Sequence, residues 1–323
     1  MKAIIASGDK KVDFTTERPK PTLKHGEVLV KIAATPVLPS DLLNISGGFP
    51  RTTFPIIPGR DYAGVVIEPE SSPWHGKSVY GTSGPDLSIT RDGTHAEFVA
   101  VPEDALAGVP RGMSLEAASM VGTTWTTAWM VLSRARAEKG EVVLVLGAGG
   151  GVGGAVVQLG RSRLWGCSVL TAGRGGKYDV DVAADPELLG AREKMDGRGV
   201  DVVVDTTGNL GLASAGLGVL GKGGRLCVIT TGASRGSMDV SVSVDFKELY
   251  RLEKSIVGCN SFEHSMREMA GWLAELAEGF ESGELRAPDV DGPKVRKIGL
   301  AGVKDVYAEM GSGSRQTFLI VVD

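Results

Sequence analysis

The residues best suited to chemistry form a glycine run directly after a short apolar segment. Five apolar residues at 142–146 precede Gly147-Ala148-Gly149-Gly150-Gly151-Val152-Gly153-Gly154, and an apolar-faced segment fit for a helix follows. Glycines let a backbone turn tightly beside a pyrophosphate, and a helix N-terminus supplies N–H donors and partial positive charge. Two registers fit the dinucleotide-binding pattern, Gly149/Gly151/Gly154 and Ala148/Gly150/Gly153. The pattern favours a nucleotide site over a loop that only connects strand and helix.

Two basic residues follow the next predicted strand, where a dinucleotide-binding domain selects its cofactor. In domains that use NAD, an acidic residue about 20 residues past the glycines takes the ribose 2′-hydroxyl. This strand ends Thr171-Ala172-Gly173-Arg174-Gly175-Gly176-Lys177, without a carboxylate at its tip, and Asp179 and Asp181 come only afterwards. Arg174 and Lys177 suit a 2′-phosphate. The spacing predicts NADPH (NADP), bound beside Gly173, Arg174 and Lys177; solvated surface charges are the alternative.

The elements around these residues indicate two domains, in keeping with a length of 323 residues. The first third has short strand candidates separated by Pro, Gly and Asp, which is typical of a partly open β-barrel. One short helix is expected there, with Ser40 as its N-cap. From residue 142 strands alternate with helices, which predicts a parallel sheet covered on both faces. The strand candidates are residues 2–6, 28–33, 62–67, 78–80, 98–101, 142–146, 167–172, 200–205, 225–230 and 256–259.

Helical segments and a final strand set the predicted boundaries. Helices are expected over 115–120, 126–137 with Gly140 as a stop, from the glycine run to about 164, and over 265–278. The last apolar segment, residues 317–322, has no βα unit to join, so we expect it to return to the barrel. The predicted domains are a barrel over 1–120, completed by 265–323, and a nucleotide-binding domain over 121–264.

Composition and charge narrow the function classes. The net charge of −4 gives no basic surface that would favour nucleic acid or anionic lipid. No apolar run approaches the ~20 residues that a membrane helix needs. Cys167, Cys227 and Cys259 lie in or beside apolar runs, which favours small core thiols in a reducing cytosol. We expect a cytoplasmic protein that meets a small molecule, with no nucleic-acid or membrane partner.

The order and spacing of several motifs resemble the medium-chain dehydrogenase/reductase superfamily, specifically its zinc-free quinone oxidoreductase branch. That resemblance implies an α/β fold with a GroES-like partly open β-barrel domain and a Rossmann doubly wound parallel sheet domain. It also implies cofactor and substrate in the cleft between them, and a homodimer through the Rossmann sheet edge. The motifs are Gly26-Glu27-Val28-Leu29-Val30, Pro39-Ser40-Asp41, Pro55-Ile56-Ile57-Pro58-Gly59-Arg60-Asp61-Tyr62-Ala63-Gly64, His95-Ala96-Glu97-Phe98, Thr127-Ala128-Trp129, the glycine run, Val202-Val203-Val204-Asp205-Thr206-Thr207-Gly208 and Gly223-Gly224-Arg225-Leu226.

The resemblance also implies site residues. Zinc relatives carry a Cys before the Ser-Asp pair and Gly-His-Glu in the Pro-Gly turn, whereas this chain has Leu38 and Gly59-Arg60-Asp61 there. The four-cysteine structural lobe is absent as well, so no metal is expected. Relatives usually place a full helix between the second and third Rossmann strands, and residues 173–185 are too few for one. Family positions that line the cofactor fall on Thr127, Gly150, Gly151, Val152, Gly153, Thr206, Thr230 and Asn260.

The substrate pocket departs from the relatives. They often place Asn and Tyr near the nicotinamide from the segment matching 37–50, whereas this chain has Leu38 and Leu43. Candidate pocket residues are Leu38, Leu43, Phe49 and Trp125, with core packing as the alternative for each. No catalytic proton donor can be named from the sequence.

Without a metal Lewis acid, hydride delivery to an electron-poor carbonyl is easier than alcohol oxidation. The sequence predicts an NADPH-dependent reductase of quinones or α,β-unsaturated carbonyls. One alternative is an acrylyl-CoA-type enoyl reductase, which Gly122-Thr123 and the short segment after the second Rossmann strand resemble. Others are a non-catalytic NADPH-binding sensor or structural protein and a zinc-independent alcohol dehydrogenase.

Overall fold

The computed structural model describes residues 1–231, 240–314 and 316–323, which fall into two compact units. The first unit comprises residues 1–126 and 261–323, and the second comprises residues 127–260. Among the helices in these ranges, none combines the length and the apolar character that crossing a bilayer requires.

The first unit is built on a seven-stranded, mostly antiparallel sheet. Its long central strand, β3, pairs with three neighbours, β4, β6 and the C-terminal strand β15. The prediction that the end of the chain returns to the N-terminal sheet is therefore confirmed. The strands are β1 (Ala3–Ala6), β2 (Val12–Thr15), β3 (Glu27–Val37), β4 (Tyr62–Glu68), β5 (Ser78–Gly81), β6 (Phe98–Pro102), β7 (Ala107–Gly108), β14 (Val295–Ile298) and β15 (Thr317–Val321).

Local capping chemistry sets the helix starts in this unit. Helix α1 begins one residue before Ser40, so the expectation of an N-cap at Ser40 is wrong. Leu38 is the N-cap, because Pro39 suits the first helical turn and Asp41 Oδ2 accepts the Leu38 N–H at 2.8 Å. The helices are α1 (Pro39–Ile45), α2 (Leu115–Ser119), α3 (Gly122–Arg134), which contains the boundary with the second unit, α8 (Met266–Ser282) and α9 (Val303–Gly311).

The second unit is a six-stranded parallel sheet in the order β10-β9-β8-β11-β12-β13. Its core includes Leu144, Leu146, Val203 and Leu226, because strands covered on both faces are apolar throughout. The strands are β8 (Val142–Leu146), β9 (Ser168–Gly173), β10 (Val180–Asp181), β11 (Val200–Asp205), β12 (Leu220–Val228) and β13 (Ser255–Gly258). The helices are α4 (Gly151–Arg161), α5 (Leu189–Glu193), α6 (Leu210–Val219) and α7 (Phe246–Arg251).

Several predicted bounds of the second unit shift. Helix α3 ends at Arg134, well before the expected stop at Gly140, and α4 ends at Arg161 rather than near residue 164. Between β9 and β11 the chain forms the two-residue strand β10 and the five-residue helix α5. The inference that residues 173–185 hold no full helix is therefore confirmed. All three cysteines are buried and free, as expected of small core residues.

Candidate functional site

The strand order of the second unit reverses at β8, which lies between β9 and β11. Ligands of open parallel sheets bind outside the carboxyl ends of the strands at such a reversal. Gly147 follows the end of β8, and Thr206 follows the end of β11. The topology therefore brings the predicted glycine loop to the position where a nucleotide site is expected.

The glycines of this loop have distinct structural roles. Gly147 has a positive φ of 82°, and its N–H and that of Ala148 donate to Ala172 O at 3.0 and 3.2 Å. A Cβ at Gly153 would collide with the carbonyl oxygen of Gly147, whereas one at Gly154 would lie 3.7 Å from the Ala148 oxygen, an ordinary contact. The tight position is thus Gly153, and the register Ala148/Gly150/Gly153 fits this backbone.

The start of α4 fits a phosphate group. Gly150 is the N-cap, and it has no side chain to accept hydrogen bonds from the first helical turn. The N–H groups that open a helix lack intrahelical acceptors, so Gly151, Val152 and Gly153 present donors at the positive end of the helix dipole. These residues fit the pyrophosphate of a dinucleotide.

The segment after β9 presents two exposed cations. Neither Arg174 nor Lys177 forms an ion pair with any residue that the structure describes, and both side chains are exposed. The nearby carboxylates have local partners: Asp179 Oδ2 accepts the Thr171 N–H at 2.8 Å and its hydroxyl at 2.7 Å. Asp181 Oδ1 accepts from Gly175 N and Ala183 N, both at 3.0 Å, and so shapes the turn. The carboxylates of this segment are therefore engaged by backbone and hydroxyl donors, whereas its two cations are exposed.

Tyr178 packs against the glycine loop, a contact that sequence reasoning did not predict. A Cβ at Gly173 would lie 2.5 Å from its ring, and one at Gly149 would collide with its hydroxyl. Tyr178 therefore packs against two glycines from different strand ends, and Lys177 Nζ lies 5.1 Å from the centre of its ring. Its place directly after Lys177 was the only signal in the sequence.

Of the other family positions in the second unit, Thr206, Thr230 and Asn260 follow strand ends and Thr127 lies within α3. Thr206 Oγ1 donates to Leu146 O at 2.8 Å, which ties the end of β11 to the end of β8. Thr230 follows β12, where its Cγ2 would lie 3.1 Å from a Cβ at Gly208. Thr127 is buried at the first position of the unit, and Asn260 is exposed at its last.

The first unit contains a buried charged group, which we call the Arg60 cluster: Asp41, Arg60, Asp61, Ser83 and Phe262. Arg60 is 2% exposed, its Nε donates to Ser83 Oγ at 2.7 Å, and its guanidinium carbon lies 4.2 Å from the centre of the Phe262 ring. Burial lowers the pKa of Arg60, and the neighbouring carboxylates oppose that shift. The cluster buries one cation among two acidic side chains.

The two carboxyl groups of the Arg60 cluster differ in their partners. Asp61 accepts from the hydroxyls of Thr82 and Thr123 at 2.5 and 2.6 Å and from Thr123 N at 2.8 Å. Burial raises the pKa of Asp61, against the effect of those hydrogen bonds. Asp41 accepts only the Leu38 N–H, its Oδ1 has no partner among the described residues, and burial raises its pKa to about 7.

His95 lies beside Asp41, with Nε2 3.9 Å from Asp41 Oδ2. Its Nε2 lies 3.1 Å from Pro36 O and its Nδ1 3.2 Å from the Tyr307 hydroxyl. These partners assign the neutral tautomer in which Nε2 donates and Nδ1 accepts. Burial lowers the pKa of His95 to about 4, so the ring is neutral near pH 7.

The positions that match the zinc ligands of relatives do not fit a zinc ion. Arg60 is a cation without a free lone pair, and Leu38 is apolar. Within the ranges described, no group of three His, Cys, Asp or Glu side chains is arranged to hold a metal.

The candidate pocket residues separate into two groups. Trp125 is 3% exposed and packs edge-on against Phe280 at 4.8 Å between ring centres, as a core residue does. Leu38 and Leu43 are half-buried at the start and middle of α1. Phe49 is also half-buried, and its ring centre lies 4.6 Å from that of Phe262. Phe49 therefore contacts the Arg60 cluster, a link that the sequence could not show because Phe262 is so distant along the chain.

Comparison with known proteins agrees with this architecture. The family model of the alcohol dehydrogenase GroES-like domain matches residues 24–111, and that of zinc-binding dehydrogenases matches residues 175–315. A crystal structure of an alcohol dehydrogenase superfamily protein from Novosphingobium aromaticivorans superimposes with a TM-score of 0.84 at 25% identity, over 100% of both chains. The expected fold class, a GroES-like domain and a Rossmann domain, is confirmed.

Sequence relatives are similar along most of the chain. A zinc-type alcohol dehydrogenase-like protein of Schizosaccharomyces pombe is 44% identical over 83% of this chain and 80% of its own. Human quinone oxidoreductase is 29% identical over 82% of this chain and 81% of its own. The acryloyl-coenzyme A reductase of Metallosphaera sedula is 28% identical over 86% of this chain and 90% of its own. The chain therefore belongs to the medium-chain dehydrogenase/reductase superfamily of oxidoreductases, in its quinone oxidoreductase-like branch.

Proposed function

We propose that this oxidoreductase uses NADPH to transfer a hydride to a quinone or an α,β-unsaturated carbonyl, without a metal. The observation that carries the cofactor choice is a pair of exposed cations, Arg174 and Lys177, that form no ion pair with the residues described in the structure. The carboxylates beside them are held by Thr171, Gly175 and Ala183. The similarity to human quinone oxidoreductase supports the substrate class.

NADPH, when bound, supplies the hydride, which carries the electron pair that the acceptor gains. Gly150 and Gly153 allow the backbone to approach the pyrophosphate, and the first turn of α4 donates hydrogen bonds to it. Arg174 and Lys177 would pair with the 2′-phosphate as charged donors. Because Leu38 and Arg60 cannot bind zinc, the acceptor must already be electron-poor.

Fluorescence titration with NADPH and NADH tests the cofactor proposal. Arg174→Ala is expected to lose about 1.5–3 kcal/mol of NADPH affinity, because a charged hydrogen bond is removed, while NADH affinity stays the same. Arg198→Ala, which removes another exposed arginine of the same unit, is the matched control and is expected to leave both affinities unchanged. An unchanged preference for NADPH in Arg174→Ala would contradict the proposal.

A second candidate is reduction of an acrylyl-CoA-type thioester, which the similarity to acryloyl-coenzyme A reductase favours. Steady-state turnover of quinones, enones and enoyl-CoA esters distinguishes the two candidate functions, because an enoyl-CoA reductase has a much higher kcat/KM for the CoA ester. Tight NADPH binding with no acceptor reduced would instead support a sensor, and steady NADP-dependent oxidation of simple alcohols would support an alcohol dehydrogenase.

A further inference from the structure

Arg60 carries a buried hydrogen-bond donor that no described residue of the first unit accepts. Its Nη2 is inaccessible to solvent and has no hydrogen-bond partner among the residues that the structure describes, whereas Nε is bonded to Ser83. An unpaired donor on a buried cation is costly, and such groups are few in native proteins. This guanidinium is therefore a candidate binding group rather than a neutral part of the core.

The cover over this cation is apolar and half-exposed. Phe262 stacks on the guanidinium at 4.2 Å, and Phe49 packs against Phe262 at 4.6 Å between ring centres. Both rings are only half-buried, so the cover reaches the surface of the unit while the cation beneath it does not. Flat conjugated molecules pack well on such aromatic side chains.

We propose that Arg60 binds the carbonyl oxygen of the substrate through Nη2, beneath Phe262 and Phe49. This inference rests on the proposed function, since it takes the substrate to be a conjugated carbonyl compound. As the β-carbon of an enone gains a hydride, the C=C electron pair shifts and the oxygen becomes an enolate. Arg60 stabilises that negative charge, and a proton from water then adds to the α-carbon to complete the saturated product.

The charges of the Arg60 cluster favour a neutral oxygen over a carboxylate. Asp41 and Asp61 lie close enough to the guanidinium to influence its pKa, and they would repel a third carboxylate when they are ionised. The charge on an enolate, by contrast, develops only as the reaction proceeds.

The visible absorption of 4-(dimethylamino)cinnamaldehyde reports this contact directly. Its long-wavelength band moves further to the red when the carbonyl oxygen accepts a bond from a cation, because the excited state places more charge on that oxygen. We expect a red shift when the aldehyde binds wild-type protein, both alone and saturated with NADP⁺, which cannot donate a hydride. Arg60→Met combined with Asp41→Asn, which also removes one of the facing carboxyl groups, should abolish the shift and weaken binding about tenfold or more.

Two further variants keep the test independent of folding defects. Arg60→Lys retains the charge but not the planar donor, so we expect a reduced shift. Arg111→Met changes an exposed arginine of the same unit that binds Glu281, and it should behave as wild type. A bound aldehyde without a red shift in wild type, no binding up to the solubility limit, or an equal shift after loss of Arg60 would overturn the proposal.

The same experiment separates this inference from the proposed function. If the protein reduces enones with NADPH but the absorption spectrum of the bound aldehyde does not depend on Arg60, then Arg60 does not bind the substrate and the proposed function still holds. An Arg60-dependent red shift in a protein that reduces no acceptor would retain the oxygen site and overturn the function.

Discussion

Asp41 and His95 are buried side by side, and each is held in its neutral form by the same physical cause. Loss of water raises the pKa of Asp41 to about 7 and lowers that of His95 to about 4. Their closest nitrogen–oxygen distance is 3.9 Å, and each has a separate hydrogen-bond partner, Leu38 N and Pro36 O. Between these two pKa values the contact is therefore one between uncharged groups, which avoids the cost of burying an ion pair.

The pH dependence of Asp41→Asn tests this assignment. A carboxyl group whose pKa is higher in the folded than in the unfolded protein stabilises the fold below about pH 3.8 and loses that contribution as the pH rises through 7. The wild type should therefore lose a few kcal/mol of unfolding free energy relative to the variant between pH 4 and 8, at about 1.4 kcal/mol per pKa unit. Urea unfolding at several pH values measures the difference, and the contribution of His95 cancels because both proteins contain it.

A wild type that gains unfolding free energy relative to Asp41→Asn as the pH rises would mean that Asp41 is ionised and paired in the folded protein. The assignment of a protonated Asp41 would then be wrong, and the electrostatic balance around Arg60 would have to be revised.

At the scale of elements, the start of α4 depends on one close approach of backbone to backbone. A side chain at Gly153 would meet the carbonyl oxygen of Gly147, and neither backbone atom can move without disturbing the turn. Gly154, one residue later, has room for a methyl group. At Gly153 a side chain is excluded by the backbone, whereas at Gly154 only the low helix propensity of glycine matters.

Alanine substitutions at these two glycines should change the unfolding free energy in opposite directions. Gly153→Ala is expected to lower the unfolding free energy by about 1–3 kcal/mol, because the helix must move away from β8. Gly154→Ala is expected to raise it by about 0.5–1 kcal/mol, because alanine restricts the unfolded chain and favours the helix. Chemical denaturation measures both, and equal effects would refute the steric account.

The sequence was sufficient for elements whose signal is local. The core strands β8 and β11 match their predicted bounds, because apolar runs between glycine and polar residues define their ends. Helix α2 begins at Leu115, as predicted, whereas Pro39 places the N-cap of α1 at Leu38 instead of the expected Ser40. Strand β14 and helix α9 were not predicted, because a short edge strand and a nine-residue helix carry weak periodicity.

The candidate site was predictable only where its residues are close in sequence. The glycine loop, Arg174 and Lys177 lie within one βαβ segment, so their spacing carries the information. The Arg60 cluster joins residues from both ends of the chain, and no spacing rule connects Arg60 with Phe262. Burial of an arginine is likewise a property of tertiary packing, which hydropathy patterns do not show.

At the scale of the whole molecule, the β13 edge of the second unit's sheet is a candidate surface for pairing two copies of the chain. Strand β13 ends the sheet among the strands described, and Ile256 on it is 46% exposed. Phe246 and Tyr250 on the preceding helix, α7, are also largely exposed. Open strand edges pair readily with another chain, and burial of exposed apolar side chains further stabilises such a pairing. We propose a homodimer joined through β13, in agreement with the resemblance described above.

A lysine at this edge should prevent assembly. Ile256→Lys is expected to convert the dimer to a monomer in sedimentation velocity, because paired edges would bring two buried charges together. Leu189→Lys changes a similarly exposed apolar residue on α5, 56% exposed, and should leave the dimer intact. A monomeric wild type, or a dimer that survives Ile256→Lys, would contradict this interface.

The most direct test of the central claim is isotope transfer to an enone from NADPH that carries deuterium at both hydrogen positions of the nicotinamide C4, followed by NMR of the product. The protein is first dialysed against a chelator and its metal content is measured. We predict one deuterium at the former β-carbon and a rate that chelation leaves unchanged. A product without deuterium, or activity that returns only when zinc is restored, would contradict the account.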